Sequence, residues 1–292
     1  MNKKDSYNSL NLEAFNKVYE AVLEEFQNVY ETMKNHRKTL LEKISEILLN
    51  YVIENNILKL SEKEKQKLLE VLFALIEEFS VEEYKAEKKK MKSTVEAAAQ
   101  DTHDLKYYIL LRGSQKRKYK VLKKETKQDI INRAVDGKIW SDRLWDNKVD
   151  IEILLKKDIK KFLDGKISVN DIKKCINDRY STNAYNTDRL VTSEIARCQA
   201  EINEQFFKDE KIEEVIYSAT LDTRTCKKCQ KYDGKRFKVK DRKRPILPQH
   251  PCCRCCYIET VPDWSPKKRR DNTIVDLHID WKIFKEWLKG VK

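Results

Sequence analysis

From Phe15, apolar side chains recur at alternating spacings of four and three: Tyr19, Val22, Phe26, Val29 and Met33 follow in turn. That spacing lines them up on one face of a helix, a seam about three heptads long. After a polar break at "NHRK" (35–38), Leu40, Leu41, Ile44, Ile47, Leu48 and Tyr51 continue the pattern. "SEKE" at 61–64 is a capping box that opens a helix through Phe79, and "SVND" at 168–171 opens another from about Val169 to Tyr180. "VIYSATL" at 215–221 predicts a strand with Val215, Tyr217 and Ala219 facing one way. In "DGKRF" (233–237), Asp233-Gly234 between short β-prone runs predicts a tight hairpin turn. Near the end, Trp281, Phe284 and Leu288 fall at helical spacing, a short amphipathic helix expected to dock on its own domain.

The helix breakers sharpen this division. All five prolines lie between Pro245 and Pro266, and only Gly113, Gly137 and Gly165 precede the last third. Long helices are therefore expected through residue 207. The segments read as a helical N-terminal region (1–111), a linker near 112–118, and a second helical stretch (119–207). A β-rich lobe (208–264) and a tail (265–292) follow. The fold class expected is mainly α with a small C-terminal β-rich zinc-binding lobe, an α+β arrangement.

Composition adds location and charge. Among 292 residues, 40% are apolar and 37% charged, and no run approaches the roughly 18 apolar residues of a membrane span. The opening "MNKKDSYNSLNLEAF" has no apolar run behind its lysines, so no secretory signal is expected. A cytosolic chain keeps its thiols reduced, which argues against disulfides. The net charge is +13, and it is uneven: residues 222–270 hold 16 Lys/Arg against 5 Asp/Glu, whereas residues 1–100 hold 16 against 18. Lys235, Arg236, Lys238, Lys240, Arg242, Lys243 and Arg244 concentrate this charge into a basic patch. Such a patch suits a polyanion such as DNA or an acidic protein surface, and equally a solvated lysine-rich face.

The same lobe carries the chemistry. Cys226 and Cys229 form a Cys-x-x-Cys pair; His250, Cys252, Cys253, Cys255 and Cys256 follow about 20 residues later. A two-residue spacer lets both thiolates of the first pair reach one tetrahedral ion, and a second pair completes a zinc ribbon or knuckle. A lobe of about 50 residues with few large apolar side chains needs such a staple. Cys226, Cys229 and Cys253 are the ligands expected, with either His250 or Cys255 as the fourth. Cys252 and Cys256 are surplus, and Cys175 and Cys198 sit alone on helices as small core side chains. Only four histidines exist (His36, His103, His250 and His278), and no Gly-rich phosphate loop or nucleophile elbow occurs. Glu194, Glu201 and Glu204 share a helix, where a solvated face explains them. The expectation is a structural site and no enzyme.

"DTRTCKKCQKYDGKRF" (222–237) followed by "PQHPCCRC" (248–255) resembles the phage head morphogenesis, or Mu F-like minor capsid, family. "RLVTSEIARCQAE" (189–201) is similar to that family's Arg-x-x-x-Thr-Glu helix, with Ser193 in place of the threonine. "IWSDRLWDN" (139–147) and "LDGKISVNDI" (163–172) also match, so the resemblance spans about 120–264. It implies a non-enzymatic virion component of a tailed phage or prophage, located in the capsid interior or at the portal vertex, and in host cytoplasm during assembly. Its implied partners are the portal protein, other capsid or scaffolding proteins and, through the basic lobe, DNA. Within this pattern Asp222 and Arg224 would orient the first knuckle, with Arg224 paired to Asp222 or Asp233. Asp233-Gly234 would turn the two ligand clusters together, and Arg254 would offset the thiolate charge.

Overall fold

The computed structural model describes residues 3–27, 29–113, 117–219, 225–261 and 281–291. It is mainly helical, with two small antiparallel sheets. In chain order the elements are α1 (Lys3–Phe26), α2 (Val29–Asn50), β1 (Val52–Glu54), β2 (Ile57–Lys59), α3 (Glu62–Gly113), α4 (Lys124–Ile131), α5 (Trp140–Leu163), α6 (Val169–Asp209), β3 (Glu214–Ser218), α7 (Lys227–Gln230), β4 (Arg236–Lys238), β5 (Cys256–Glu259) and α8 (Trp281–Val291).

The apolar seam from Phe15 to Met33 is divided between α1 and α2, and the break falls after Phe26. The "NHRK" segment does not interrupt anything: it lies inside α2, and His36 is buried there. Both capping boxes form. The Ser61 N–H donates to Glu64 Oε2 at 2.8 Å, and the Ser168 N–H donates to Asp171 Oδ2 at 3.1 Å. Their helices run far past the expected ends at Phe79 and Tyr180, to Gly113 and Asp209. No glycine or proline lies within α3 before its last residue, nor anywhere within α6, and mid-helix polar groups fold back, as when the Thr182 hydroxyl donates to the Asp178 carbonyl at 2.8 Å. Gly113 ends α3, and residues 114–116 of the expected linker lie outside the described residues.

By compactness the chain divides into two units: Met1–Glu24, Ser93–Arg133 and Val191–Lys292, and then Glu25–Lys92 with Ala134–Leu190. Compactness thus groups stretches that are far apart in sequence, and α3 and α6 contribute to both units.

The second unit packs α2, α5 and portions of α3 and α6 around Leu40, Ile44, Leu72, Ile76, Ile159, Phe162 and Ile176. The β1–β2 hairpin, unanticipated from the sequence, turns through Asn55 and Asn56 at φ 51° and 62°. Asn-Asn between the apolar pairs Val52-Ile53 and Ile57-Leu58 was its signal. Gly165 closes α5 at φ 67°. The Lys166 N–H reaches the Lys161 carbonyl at 2.8 Å, and the Gly165 N–H reaches Phe162 at 3.0 Å, a Schellman ending. A Cβ at Gly165 would meet Ile57 Cγ2 at 3.1 Å, so the hairpin needs this glycine for close approach as well as for its turn.

A polar group sits inside the same unit. Lys148 donates to Glu83 (3.2 Å), Glu87 and Asn183 (2.9 Å); Asn183 in turn donates to Glu83, and Thr187 to Glu87. His36 stacks on Phe79 and faces Glu83 and Glu82 with its two ring nitrogens. One ammonium serves two buried carboxylates. Desolvation pushes Glu87 up to about 7 against the pull of Lys148, while Glu83, despite its burial, is held below the usual range by His36 and Lys148.

The first unit contains α1, α4, α8, a three-stranded sheet ordered β4-β3-β5, and the remaining parts of α3 and α6. Lys211, at φ 52°, ends α6: the Ile212 N–H bonds to the Phe207 carbonyl at 2.8 Å and the Lys211 N–H to Lys208 at 3.2 Å. This turn throws the chain directly into β3, whose Val215 and Tyr217 face inward as the alternation predicts, with Ala219 buried beyond the strand. Residues 220–224, the end of the expected strand, lie outside the described residues.

The lobe owns no separate core. Val215, Tyr217 and Tyr257 pack in one cluster with Tyr107 and Leu110 of α3 and Phe206 and Phe207 of α6. Beneath the sheet, buried Lys106 of α3 pairs with buried Glu259 of β5, and the Tyr7 hydroxyl donates to the same carboxylate. Lys106 also donates to Asn11 Oδ1 at 2.8 Å. The tail helix α8 docks as expected: Phe284 is fully buried and, with Trp287, packs on Tyr108 of α3. The Trp281 side chain and residues 265–280 of the tail lie outside the described residues.

Two measurements check this packing. Gly165→Ala should lower stability by about 1–3 kcal/mol in urea unfolding. Gly137→Ala, also at positive φ but with open space around it, should cost less, and the difference isolates the Ile57 contact. The raised Glu87 binds a proton more tightly folded than unfolded, so its stabilising contribution is complete below about 4.5 and is lost as pH rises through about 7. That gives a slope of at most about 1.4 kcal/mol per pH unit across the window, which Glu87→Gln should flatten.

Candidate metal centre

The first ligand pair is built by one turn of helix. Cys226 stands at the N-cap of α7, and its sulfur accepts the Cys229 N–H at 3.4 Å. This places both sulfurs on the same end of the turn and draws the Cys226 thiol below its ordinary range. The chain then turns at Tyr232–Lys235, with Gly234 at φ 72° and the Lys235 N–H donating to Tyr232 at 3.0 Å. Asp233-Gly234 is therefore a tight turn, but it joins α7 to β4 and is not the tip of a two-strand hairpin. It pins the knuckle to β3: the Gly234 N–H donates to the Tyr217 carbonyl, and Asp233 Oδ1 accepts the Ala219 N–H at 2.8 Å.

The second cluster is shaped by a turn as well. The Cys253 N–H donates to the His250 carbonyl at 3.2 Å, with Pro251 and Cys252 between them and Cys252 at φ 58°. Proline followed by a left-handed residue is the pattern of a type II turn. The surplus Cys252 thus occupies the turn's left-handed position. Its N–H donates to the Ser193 hydroxyl at 3.1 Å, and its sulfur lies 3.1 Å from the Thr192 hydroxyl. The "TSE" run of α6 anchors the loop that carries His250 and Cys253. Cys256, the other surplus cysteine, is buried in β5, where desolvation pushes its thiol up to about 12.

The two clusters meet. Cys226, Cys229 and His250 hold their donor atoms within 4.8 Å of one another, and so do Cys229, Cys253 and Cys255. Cys229 is common to both groups: its sulfur is 3.5 Å from His250 Nε2 and 4.0 Å from the Cys253 sulfur. All eight cysteines of the chain are free thiols. Burial pushes Cys229 up to about 11, whereas Cys253, accepting from the Cys255 thiol, is held down at about 5. Burial opposes a charge on His250, but the Pro251 carbonyl and the neighbouring sulfurs raise it above its ordinary value. Thiolates with an imidazole are the donor set of a zinc site. A further sign of fit is the Tyr217 hydroxyl, buried beside the cluster with no well-formed hydrogen bond of its own.

Other expected site residues are distributed differently. Asp222 and Arg224 lie outside the described residues. Arg254 is half-buried between the ligand cysteines. Within the basic patch Lys235, Lys238, Lys240, Arg242 and Lys243 are exposed. Arg236 is exposed and paired with Glu214 at 2.7 Å. Arg244 does not belong to an open patch: it pairs with Glu204 at 2.6 Å and stacks over Tyr257. The solvated face expected for Glu194, Glu201 and Glu204 is likewise replaced by ion pairs. Glu194 is buried against Arg197, and Arg197 also binds Glu201 and the last carbonyls of α4, Ile130 and Ile131. Cys198 is the core side chain expected; Cys175 is only half-buried.

Metal removal should act locally, because β3 and β5 rest on a helical core. Chelation is expected to raise amide hydrogen exchange at 226–234 and 249–255 and leave Tyr217 and Tyr257 protected. Uniform loss of protection across the sheet would contradict this.

Residues 155–258 match the family model described as Phage Mu protein F like protein. The match begins within α5 and ends in β5, narrower than the 120–264 suggested by the motifs, and it contains every candidate ligand. No curated protein and no solved structure matches the chain. Among the described residues no helix is long and apolar enough to cross a membrane. Helix α6 with its "TSE" anchor, the Cys-x-x-Cys knuckle and the His-Pro turn all lie within that matched stretch, and it is over residues 155–258 that the chain is similar to the Phage Mu protein F like family.

Proposed function

We propose that this chain is a non-enzymatic head morphogenesis protein of a tailed phage or prophage, one that associates with the portal and assists head assembly, DNA packaging or genome delivery. The observation that carries the reading is the family match over the segment that gathers the cysteines and His250. Cys226, Cys229 and Cys253, with His250 or Cys255, would hold a zinc ion. A closed tetrahedral zinc supplies folding free energy, about 10 kcal/mol or more in small peptides, and leaves no open coordination position for a substrate. The carboxylates on α6 are engaged with arginines, which supports a structural role for that helix.

Coexpression with the portal protein of the same genome tests the reading. Co-elution of the two in gel filtration is expected, and separate elution would remove the portal as partner. Binding of DNA is a second reading, favoured by the exposed Lys235, Lys238, Lys240, Arg242 and Lys243. Affinity for duplex DNA should then fall steeply with salt, with a log–log slope of roughly −0.9 per phosphate contact. Absence of binding at low salt would eliminate it.

A further inference from the structure

The two donor groups that share Cys229 differ in how well each is prepared for an ion. His250 Nδ1 lies 2.8 Å from the Pro251 carbonyl oxygen. A carbonyl can only accept, so Nδ1 carries a hydrogen, and in the neutral ring that binds a metal Nε2 keeps its lone pair. That lone pair points toward the cluster, 3.5 Å from the Cys229 sulfur. A backbone carbonyl holding one ring nitrogen while the other faces the ion is the usual arrangement of a metal-binding histidine. Cys255 has a different neighbourhood. Like Cys253 it groups with Cys229 and not with Cys226 and His250; what sets it apart is the Tyr217 hydroxyl, which lies against the sulfurs of Cys229 and Cys255.

Charge favours the same choice. Cys229 and Cys253 are 0% and 1% exposed while Cys226 and His250 are half-buried, so the site is desolvated on its inner side. Zinc with three thiolates and a neutral imidazole carries about −1, against about −2 with four thiolates, and the smaller buried charge costs less. The Tyr217 hydroxyl, otherwise without a good partner in the interior, then has a thiolate to donate to.

We infer that His250, through Nε2, completes the ligand set of Cys226, Cys229 and Cys253, and that Cys255 and Tyr217 stand outside it as hydrogen-bond donors to the bound thiolates. This rests on the metal reading above.

Cobalt(II) substitution of the full-length, reduced chain tests it, because thiolate-to-cobalt charge-transfer absorption scales with the number of bound thiolates. Cys255→Ser, which keeps a donor, should leave that absorption unchanged. The wild-type protein should show a solvent-exchangeable, hyperfine-shifted imidazole N–H proton in its NMR spectrum, which needs no variant to fold. Tyr217→Phe should keep the spectrum and weaken cobalt affinity by about 10–100-fold. Loss of one thiolate's share of absorption in Cys255→Ser, or no such shifted proton in the wild type, overturns the assignment of His250. Unchanged affinity in Tyr217→Phe overturns the role of the tyrosine. A wild-type chain that takes up no cobalt brings down the metal reading itself, and this inference with it.

Discussion

Strand β5 follows directly on the second ligand cluster, and one buried ion pair fixes it to the helices. Lys106 and Glu259 are each 1% exposed, with Tyr7 and Asn11 closing the remaining hydrogen bonds. Burial draws Lys106 below its ordinary range against the pull of Glu259, and burial together with Glu259 holds Tyr7 well above its own. Removing one member of such a pair typically costs 3–5 kcal/mol, although the intact pair contributes little net stability. Its contribution is position. With Glu259 fixed on α3, Cys253 and Cys255 arrive a few residues earlier at a set place beside β3.

The lobe's poverty in apolar residues takes on a different meaning in this light. A separate domain of that size would depend on metal for its whole fold. Here Tyr217 and Tyr257 share a core with Phe206, Phe207 and Tyr107, so the sheet has helical support independent of any ion. What remains for a metal to organise is the pair of turns at 226–234 and 249–255. A structural ion placed there would rigidify the two turns that flank the exposed Lys235, Lys238, Lys240, Arg242 and Lys243.

The second unit repeats the device of an internal lysine with different partners. Lys148 faces Glu83 and Glu87 within a helical core, and Asn183 and Thr187 supply the remaining bonds. Apolar side chains pack interchangeably around a helix axis, whereas a buried ammonium accepts few arrangements. Both units thus combine an apolar stripe, which gives cohesion, with a polar cluster that restricts register.

The sequence by itself determined the local features. Capping boxes at 61–64 and 168–171, the inward face of β3, the Cys-x-x-Cys turn and the family likeness are all written in short stretches, because each depends on neighbours within a few residues. The same local reading stopped two helices too early, since polar runs resemble ends when what their side chains fold back on is unknown. It missed the Asn-Asn hairpin, took Asp233-Gly234 for a hairpin tip, and left Arg244 and Glu194 in solvent. Tertiary structure alone decided the pairing of Arg244 with Glu204, that the cysteine lobe shares a helical core and that Ser193 anchors the His250 loop. Arg244 meets Glu204 across 40 positions and Cys252 meets Ser193 across 59, and the preference of either partner alone carries no record of the other.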